Sequence, residues 1–268
     1  MGRGKSTPGG SLRVRARFFV EDALEGPRAD VPPAEARHAA VRRLRPGDRV
    51  ELLNGRGVKR EGLLEARPEG GLQVRFLAPP RRAVPPDVRL HLAVSPPKGD
   101  RMNFLVEKLS ELGADTCLPL VCRRSVDAGV RRETGRVERW RRTAREACKQ
   151  CGRAFLMAVE PPRPLEDLVR EGPAGRRWIV LLPQGKETVS LRSVLEARPL
   201  QAGEEAMILV GPEGGFTPEE EGAILAAGAR PASLGRGILR IETAALAAAA
   251  LFRAFHPGEG EEPGYGVE

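Results

Sequence analysis

The stretch MILVGPEGGFTPEEEGAILAAGARPASLGRGILRIETAALAAAAL, residues Met207 to Leu251, decides the fold. Its apolar start, Met207–Val210, has the length and the bounding glycine of a buried strand, and a glycine-rich turn, Gly211–Gly215, follows it. Thr217 is placed to cap a helix, and Pro218 suits the first helical position. The pattern predicts a strand, a glycine loop and a helix in succession.

A second unit of the same kind follows directly. Ala232–Leu234 reads as a strand, Gly235–Gly237 as a turn, and Ile238–Thr243 as the entry to an alanine-rich helix. Two glycine turns therefore leave the carboxyl ends of two predicted parallel strands. In open α/β sheets ligands bind at that edge, because glycine lets backbone groups approach a ligand closely.

The chemistry of these turns is not that of a phosphate loop. Neither turn matches the dinucleotide or P-loop glycine patterns, and neither has a phosphate-binding lysine. An ordinary strand-to-helix turn remains an alternative for Gly211–Gly215. Arg240 and Glu242 favour a site, because charged residues in an apolar setting either pair with each other or face a cleft.

The composition indicates a globular protein. The 268 residues are enough for one large or two smaller domains. No run approaches 18 apolar residues, and the N-terminus lacks a signal-peptide pattern, so we expect a soluble cytoplasmic protein without a membrane segment.

The four cysteines, at positions 117, 122, 148 and 151, are expected to be reduced thiols. Their paired spacing raises the alternative of a zinc site. Because they fall in predicted helices and strands without glycine knuckles, we favour buried small residues and no metal.

Charge is distributed unevenly along the chain. Residues 1–85 carry 18 Lys and Arg against 10 Asp and Glu, residues 86–200 carry 22 against 15, and residues 201–268 carry 4 against 11. The basic front two-thirds predict a polyanion such as nucleic acid as the partner. A genome biased towards arginine would explain arginine over lysine, but it does not explain the asymmetry.

The chain divides into two predicted domains, 12–80 and 86–256, with flexible tails at 1–11 and 257–268. Short strands at regular spacing in the first, such as Asp48–Leu53 and Leu72–Phe76, suggest a small β-barrel. Such a barrel presents basic strands to RNA, or alternatively serves dimerisation or substrate positioning. Prolines around residues 79–86 indicate a linker.

The second domain has a different pattern. Val88–Val94 reads as a strand, Asp100 caps a helix that stops at Gly113, and Thr116–Val121 reads as the next strand. This βαβ pattern predicts a mostly parallel sheet with helices on both faces.

A basic helix follows in the second domain. Helical spacing from Val137 to Cys151 predicts one packed face, with Arg139, Arg142, Arg145 and Lys149 projecting outward. They form either a phosphate-binding surface or a solvated face.

Three segments in the C-terminal half, LLPQGKE, LVGPEGG and LGRGILRIETAAL, resemble the SPOUT methyltransferases. The chain is more closely similar to the RsmE family, which methylates N3 of a uridine in the 16S RNA of the small ribosomal subunit. Supporting stretches are RFFV, HAAVRRLRPGD from His38, KGDRMNFLVEKLSELG from Lys98 and RWRRTAREACKQCGR from Arg139. The likeness covers about residues 12–255 and does not extend to the tails.

The resemblance implies a PUA-like barrel followed by an α/β domain with a deep trefoil knot. It also implies a homodimer with both active sites at its interface, S-adenosylmethionine bound by the three loops, and ribosomal RNA as the substrate. The residues expected to bind the cofactor are Leu182, Pro183, Gly185, Val210, Gly211, Glu213, Gly214, Leu234, Gly235, Ile238, Leu239 and Thr243.

Methyl transfer to uracil N3 depends mainly on positioning and on loss of the N3 proton. We expect Arg240 to stabilise charge on a uracil carbonyl oxygen, and Glu242 or Glu213 to orient Arg240 or to accept the proton. The residues expected to grip RNA are Lys98, Arg101, Lys149 and Arg153. The alternative function is a non-catalytic RNA-binding or ribosome-assembly factor; an oxidoreductase is disfavoured because no dinucleotide fingerprint is present.

Overall fold

The computed structural model describes residues 13–21, 24–125, 134–185 and 188–261, which divide into two compact units. The first unit comprises the described residues up to Ala83 together with Glu261, and the second spans Val84–Gly260. The predicted tail at 1–11, Lys186 of the first resembling loop, and residues 262–268 lie outside the described residues.

The first unit is a mainly antiparallel sheet with its own hydrophobic core. Its strands follow the order β1-β3-β4-β5-β2, with β6 paired to β4 and the β1–β3 pair parallel. Alternating side chains such as Phe18, Val50 and Leu52 fill the core, as expected for strands with one buried face. The elements are β1 Ala16–Phe19, β2 Arg28–Asp30, α1 Pro33–Val41, β3 Arg49–Leu53, β4 Val58–Ala66, β5 Leu72–Phe76 and β6 Arg81–Val84.

Two features of this unit depend on strand pairing. Arg81–Val84, which the prolines indicated as a linker, is instead a strand, because Arg81 and Arg82 pair with Lys59 and Val58 of β4. The linker prediction for these residues is wrong. Gly62 allows β4 to approach β5, since a Cβ there would lie 2.4 Å from Val74 Cγ1.

The second unit is an α/β sandwich. Its elements are β7 Arg89–Val94, α2 Arg101–Glu111, β8 Thr116–Val121, α3 Thr134–Cys151, β9 Ala158–Val159, β10 Arg163–Pro164, α4 Leu165–Glu171, β11 Arg177–Leu181, β12 Val189–Ser190, α5 Leu191–Ala197, β13 Glu205–Val210, α6 Pro218–Ala226, β14 Arg230–Ser233 and α7 Ile241–Phe255. The last strand, β15 Gly260–Glu261, belongs to the sheet that contains β6, with which it pairs. The predicted βαβ pattern is confirmed by β7, α2 and β8, since β7 and β8 are parallel neighbours.

The strands of this sheet follow the order β10-β8-β7-β13-β11-β14-β12. Each strand pair described between these neighbours is parallel. Alternate residues of one strand face opposite cores: Leu92 of β7 packs with α2, α3 and α7, whereas Ala93 packs with α4 and α6. Burial on both faces explains the near-continuous apolar strands and confirms the prediction of a mostly parallel sheet between helices.

Local contacts differ from two further predictions, the Asp100 cap of α2 and the start of the C-terminal tail. Asp100 stands at the N-cap position of α2, but its side chain makes no capping hydrogen bond and instead accepts one from Asn103 Nδ2 at 3.2 Å. The predicted C-terminal tail begins later than Pro257. Glu259 accepts hydrogen bonds from the backbone N–H groups of Ala154 and Phe155, at 2.8 and 3.0 Å.

Candidate active site at the carboxyl edge of the parallel sheet

The three glycine-bearing loops leave three adjacent strands. In the sheet β11 lies between β13 and β14, and all three are parallel, so their carboxyl ends share one edge. The loops begin at Leu182, Gly211 and Leu234. The topology therefore brings together segments separated by up to about fifty residues, at the edge where open α/β sheets bind ligands.

The loop after β13 is shaped by its neighbours. A Cβ on Gly211 would lie 2.9 Å from Cε2 of the buried Phe216 ring, so the backbone passes directly over that ring. The Arg124 guanidinium donates to the carbonyl oxygen of Gly214 at 2.9 Å. The Thr217 hydroxyl caps α6 by accepting a hydrogen bond from the Glu220 N–H, and the Glu220 carboxylate accepts one from the Thr217 N–H. This capping box confirms the predicted start of the helix.

The loops enclose a cavity of about 880 Å³. Most of the wall is glycine backbone and apolar side chain, with a few charged groups at Arg101, Glu213, Glu221 and Arg240. The lining residues are Arg101, Leu181, Leu182, Pro183, Val210, Gly211, Pro212, Glu213, Gly214, Gly215, Phe216, Glu221, Leu234, Gly235, Gly237, Ile238, Leu239, Arg240, Ile241 and Ala244.

Ten of the twelve residues expected to bind a cofactor line this cavity. The other two, Gly185 and Thr243, are exposed and lie outside the lining. Phe216, which was not among the expected site residues, also lines the cavity, and its ring packs against the Gly211 backbone. The sequence contains a signal for this role, because an aromatic residue directly follows the glycines in GPEGGF and can pack beneath their backbone.

Arg240 and Glu242 lie at the start of α7, in different surroundings. Arg240 is the N-cap residue, is exposed and lines the cavity. Glu242 is only 8% exposed, and its Oε1 lies 3.5 Å from Arg101 Nη1. Glu242 is thus partnered by an arginine from another helix, α2.

The same arginine sets the charge of Glu213. Arg101 Nη2 donates to Glu213 Oε1 at 2.6 Å. This hydrogen bond holds the pKa of the Glu213 carboxyl below its usual range, and it raises the pKa of Arg101. Both groups are therefore charged at neutral pH.

Two of the four residues expected to grip RNA are placed elsewhere. Lys149 is 5% exposed and pairs with Glu146, its Nζ lying 2.7 Å from Glu146 Oε1. Arg153 is 8% exposed and donates to the carbonyl oxygens of Ser110 and Ala114. The expectation that these two side chains reach a phosphate does not match their burial, because Lys149 is paired with Glu146 and the Arg153 guanidinium is bound to carbonyl oxygens at the end of α2.

The remaining two have other surroundings. Lys98 is exposed, and Arg101 is half-buried at the cavity.

Within the described ranges, no three His, Cys, Asp or Glu residues are grouped to hold a metal ion. All four cysteines are free thiols, and Cys151 is the exposed one. No helix in the part of the chain that the structure describes is long and apolar enough to cross a membrane.

Comparison with known proteins identifies the family to which each of the two units is similar. The family description RNA methyltransferase domain matches residues 84–253, and RNA methyltransferase PUA domain matches residues 31–77. The fold and the loop cavity thus define an RNA methyltransferase with an N-terminal PUA domain.

The relatives narrow the class. Ribosomal RNA small subunit methyltransferase E of Mycobacterium tuberculosis is 36% identical over 244 residues, covering 87% of this chain and 89% of the relative. The protein of the same name from Synechocystis is 31% identical, covering 80% of this chain and 68% of that one. The chain belongs to the ribosomal RNA small subunit methyltransferase E family.

Solved structures agree with this assignment. The ribosomal RNA small subunit methyltransferase E from Neisseria gonorrhoeae, bound to S-adenosylmethionine, is 28% identical with a TM-score of 0.76, covering 89% of this chain and 97% of that one. A second solved structure, from Legionella pneumophila and also with this cofactor bound, is 27% identical with a TM-score of 0.78, covering 91% and 98%.

Proposed function

We propose that this protein transfers a methyl group from S-adenosylmethionine to N3 of a uridine in the RNA of the small ribosomal subunit. The observation that carries the proposal is the cavity at the ends of β13, β11 and β14, with Arg240 on its wall and Glu242 in the first turn of α7. Membership of the family and the cofactor-bound relatives support the reaction class.

The cavity suits the cofactor chemically. Its volume of about 880 Å³ is of the size that drug-sized ligands occupy. Glycine backbone along the Gly211 and Gly235 turns offers N–H and C=O groups to an adenine edge and a ribose. The charged groups on the wall, Glu213 and Glu221 against Arg101 and Arg240, balance in sign, and Arg101 is paired with Glu213, so the wall holds no cluster of free cations of the kind that a triphosphate needs.

Bound S-adenosylmethionine supplies an electrophilic methyl group that an in-line nucleophile takes as the carbon–sulfur bond breaks. The chain must present uracil N3 in that line and remove its proton. We assign charge stabilisation at a uracil carbonyl oxygen to Arg240, whose exposed side chain projects from the cavity wall. We assign the acceptance of the N3 proton to Glu242, a buried carboxylate two residues along the chain from Arg240 that lies just outside the residues lining the cavity and contacts the lining residue Arg101.

RNA contact is proposed for exposed cations of the second unit and for the first unit. Lys98 precedes α2, and Arg139 and Arg142 are exposed on α3. We assign RNA positioning to the PUA-like barrel predicted at 12–80 and chemistry to the domain predicted at 86–256. The basic excess of residues 1–200 supports this division, because phosphate contacts dominate RNA affinity.

We also propose a cytoplasmic homodimer whose second unit contains the trefoil knot that the resemblance implies. Exposed apolar side chains close to the cavity, Phe104, Ile238 and Leu239, are consistent with a partner surface there. Light scattering after gel filtration should give about twice the 29.1 kDa of one chain. A mass of one chain at micromolar concentration would contradict the dimer.

The decisive assay is mass spectrometry of RNA after incubation with cofactor. We expect 3-methyluridine in the small-subunit RNA, and naked RNA and assembled subunits should be compared as substrates. Arg240→Ala should lower turnover by about 100-fold while cofactor binding persists. Arg236→Ala is the matched control, because Arg236 is an exposed arginine on the same loop outside the cavity lining. Equal rates for the two variants would remove Arg240 from the mechanism.

A further inference from the structure

The guanidinium of Arg101 contacts three other groups of the protein. It is the first residue of α2, and its guanidinium contacts Glu213 at 2.6 Å and Glu242 at 3.5 Å. Its Nε donates to the carbonyl oxygen of Lys98 at 3.2 Å. A planar guanidinium held by three groups has little freedom, so it fixes the carboxylates relative to each other.

Charge at this position disfavours a phosphate. The positive charge of Arg101 is already engaged by the two carboxylates of Glu213 and Glu242. A phosphate oxygen approaching Arg101 would have to displace a carboxylate and would meet the other. The sequence-based prediction that Arg101 grips RNA therefore does not match its surroundings.

The carboxylate of Glu242 is only half satisfied. Within the described residues its Oε2 is buried and has no hydrogen-bond partner. A buried carboxylate oxygen without a donor is costly, and such atoms call for a functional explanation or a missing donor. The first turn of α7 supports the negative charge through the helix dipole but supplies no donor to this oxygen.

Glu213 connects the same arginine to the cofactor cavity. It lies on the loop after β13, lines the cavity, and is the closest carboxylate to Arg101. If Arg101 moves, both the Glu213 loop and the Glu242 carboxylate lose their shared anchor.

We propose that Arg101 is a positioning residue for methyl transfer. It holds the Glu242 carboxylate in place for the uracil that receives the methyl group, and it links this carboxylate to Glu213 on the wall of the cofactor cavity. This inference rests on the proposed function. It also gives a reason for base selection. The free carboxylate oxygen accepts from the N3–H of uracil, whereas N3 of cytosine is an acceptor and would repel it.

The test separates positioning from phosphate binding in the full-length protein. Arg101→Gln, Arg101→Lys, Glu242→Gln and the double variant Arg101→Gln/Glu242→Gln are assayed for kcat, for KM with small-subunit RNA and for the salt dependence of RNA binding. Lys98→Gln serves as the comparison for an exposed cation, and Arg192→Gln is the matched control, because Arg192 is an exposed arginine paired with Glu196 on α5.

The expected result is a split between rate and affinity. Arg101→Gln should lower kcat by about 10- to 100-fold, as expected for a misplaced group, with RNA affinity and salt slope close to wild type. Arg101→Lys should recover part of the rate. Adding Arg101→Gln to Glu242→Gln should cost little more, because residues that act as one unit are not additive. Arg192→Gln should match wild type throughout.

Two results would overturn the proposal. One is a raised KM with a flatter salt slope and an unchanged kcat, the behaviour expected of Lys98→Gln and of a phosphate contact. The other is full additivity with Glu242→Gln. Thermal unfolding of each variant ensures that a lost rate is not lost folding.

A second readout distinguishes this proposal from the proposed function. If the wild-type protein forms no methylated uridine, the function fails, and titration calorimetry with S-adenosylmethionine still tests the anchor. Arg101→Gln should weaken cofactor binding by about 5-fold or more, non-additively with Glu213→Gln. Wild-type affinity in Arg101→Gln, or additive losses, would contradict the anchoring of the Glu213 loop.

Discussion

The most direct test of the cofactor cavity is a single added methyl group, Gly211→Ala. The new Cβ would lie 2.9, 3.0 and 3.1 Å from Cε2, Cδ2 and Cζ of Phe216. Carbon atoms prefer about 3.5–4.0 Å, so the ring or the loop must move by about half an ångström or more. Phe216 is 8% exposed and packs in the core under α6, so the ring has little room to yield.

The magnitude follows from the cost of overpacking, which is about 1–3 kcal/mol. If this strain is relieved by moving the loop away from the cofactor, affinity for S-adenosylmethionine should fall by about 5- to 150-fold. If it is absorbed by the folded state, the melting temperature should fall by about 2–4 °C for each kcal/mol in a unit of this size. Calorimetric titration and thermal unfolding together measure both parts.

The chain supplies a matched control and a rescue. Gly222→Ala adds the same methyl group inside α6, where a Cβ would meet nothing within 4 Å, and should stabilise the helix by about 0.5–1 kcal/mol. Replacing Phe216 by Leu in the Gly211→Ala background removes ring atoms and should restore part of the affinity. Wild-type affinity and melting temperature in Gly211→Ala would refute the reasoning.

Three further predictions concern the second unit. Arg153→Ala should destabilise the protein by about 2–4 kcal/mol, because buried carbonyl oxygens lose a charged donor, and should leave the salt slope of RNA binding unchanged; a flatter slope at an unchanged melting temperature would restore its predicted RNA contact. Thr217→Ala removes the side-chain cap of α6 and should cost about 1 kcal/mol, seen as a lower denaturant midpoint, whereas Thr217→Ser should not. Iodoacetamide at pH 8 should label the exposed Cys151 and spare Cys117 and Cys122, because burial raises the pKa of both thiols to about 12. Rapid modification of either buried thiol in the native protein would contradict the packing described.

Most secondary structure of the second unit could be predicted from local pattern. The strand at Thr116–Val121 and the capped start of α6 at Thr217 agree with the structure, because apolar runs and capping residues act within a few positions. Arg81–Val84 could not be predicted in this way. Its prolines suggest a linker, and it is a strand because β4, distant in sequence, provides hydrogen-bond partners.

Burial of charged residues was the least predictable property. Helical spacing places Lys149 near the outward arginines, and nothing local marks Arg153 as buried. Both are buried in the structure, and Arg153 is held there because backbone carbonyls at and just beyond the end of α2 accept hydrogen bonds from its guanidinium. A long side chain with a charged end fits either a phosphate or an internal carbonyl, and the distinction depends on the neighbouring helix.

The sequence by itself determined the three glycine loops, the parallel α/β class, the family and ten residues of the cavity wall, because glycine turns after apolar runs are local features with few structural solutions. Only the tertiary structure decided which charged groups meet. The order β13-β11-β14 brings the loops to one edge, and α2 places Arg101 between Glu213 and Glu242, more than one hundred residues away along the chain. Sequence spacing does not encode such a contact, since it arises from the packing of helices on a shared sheet.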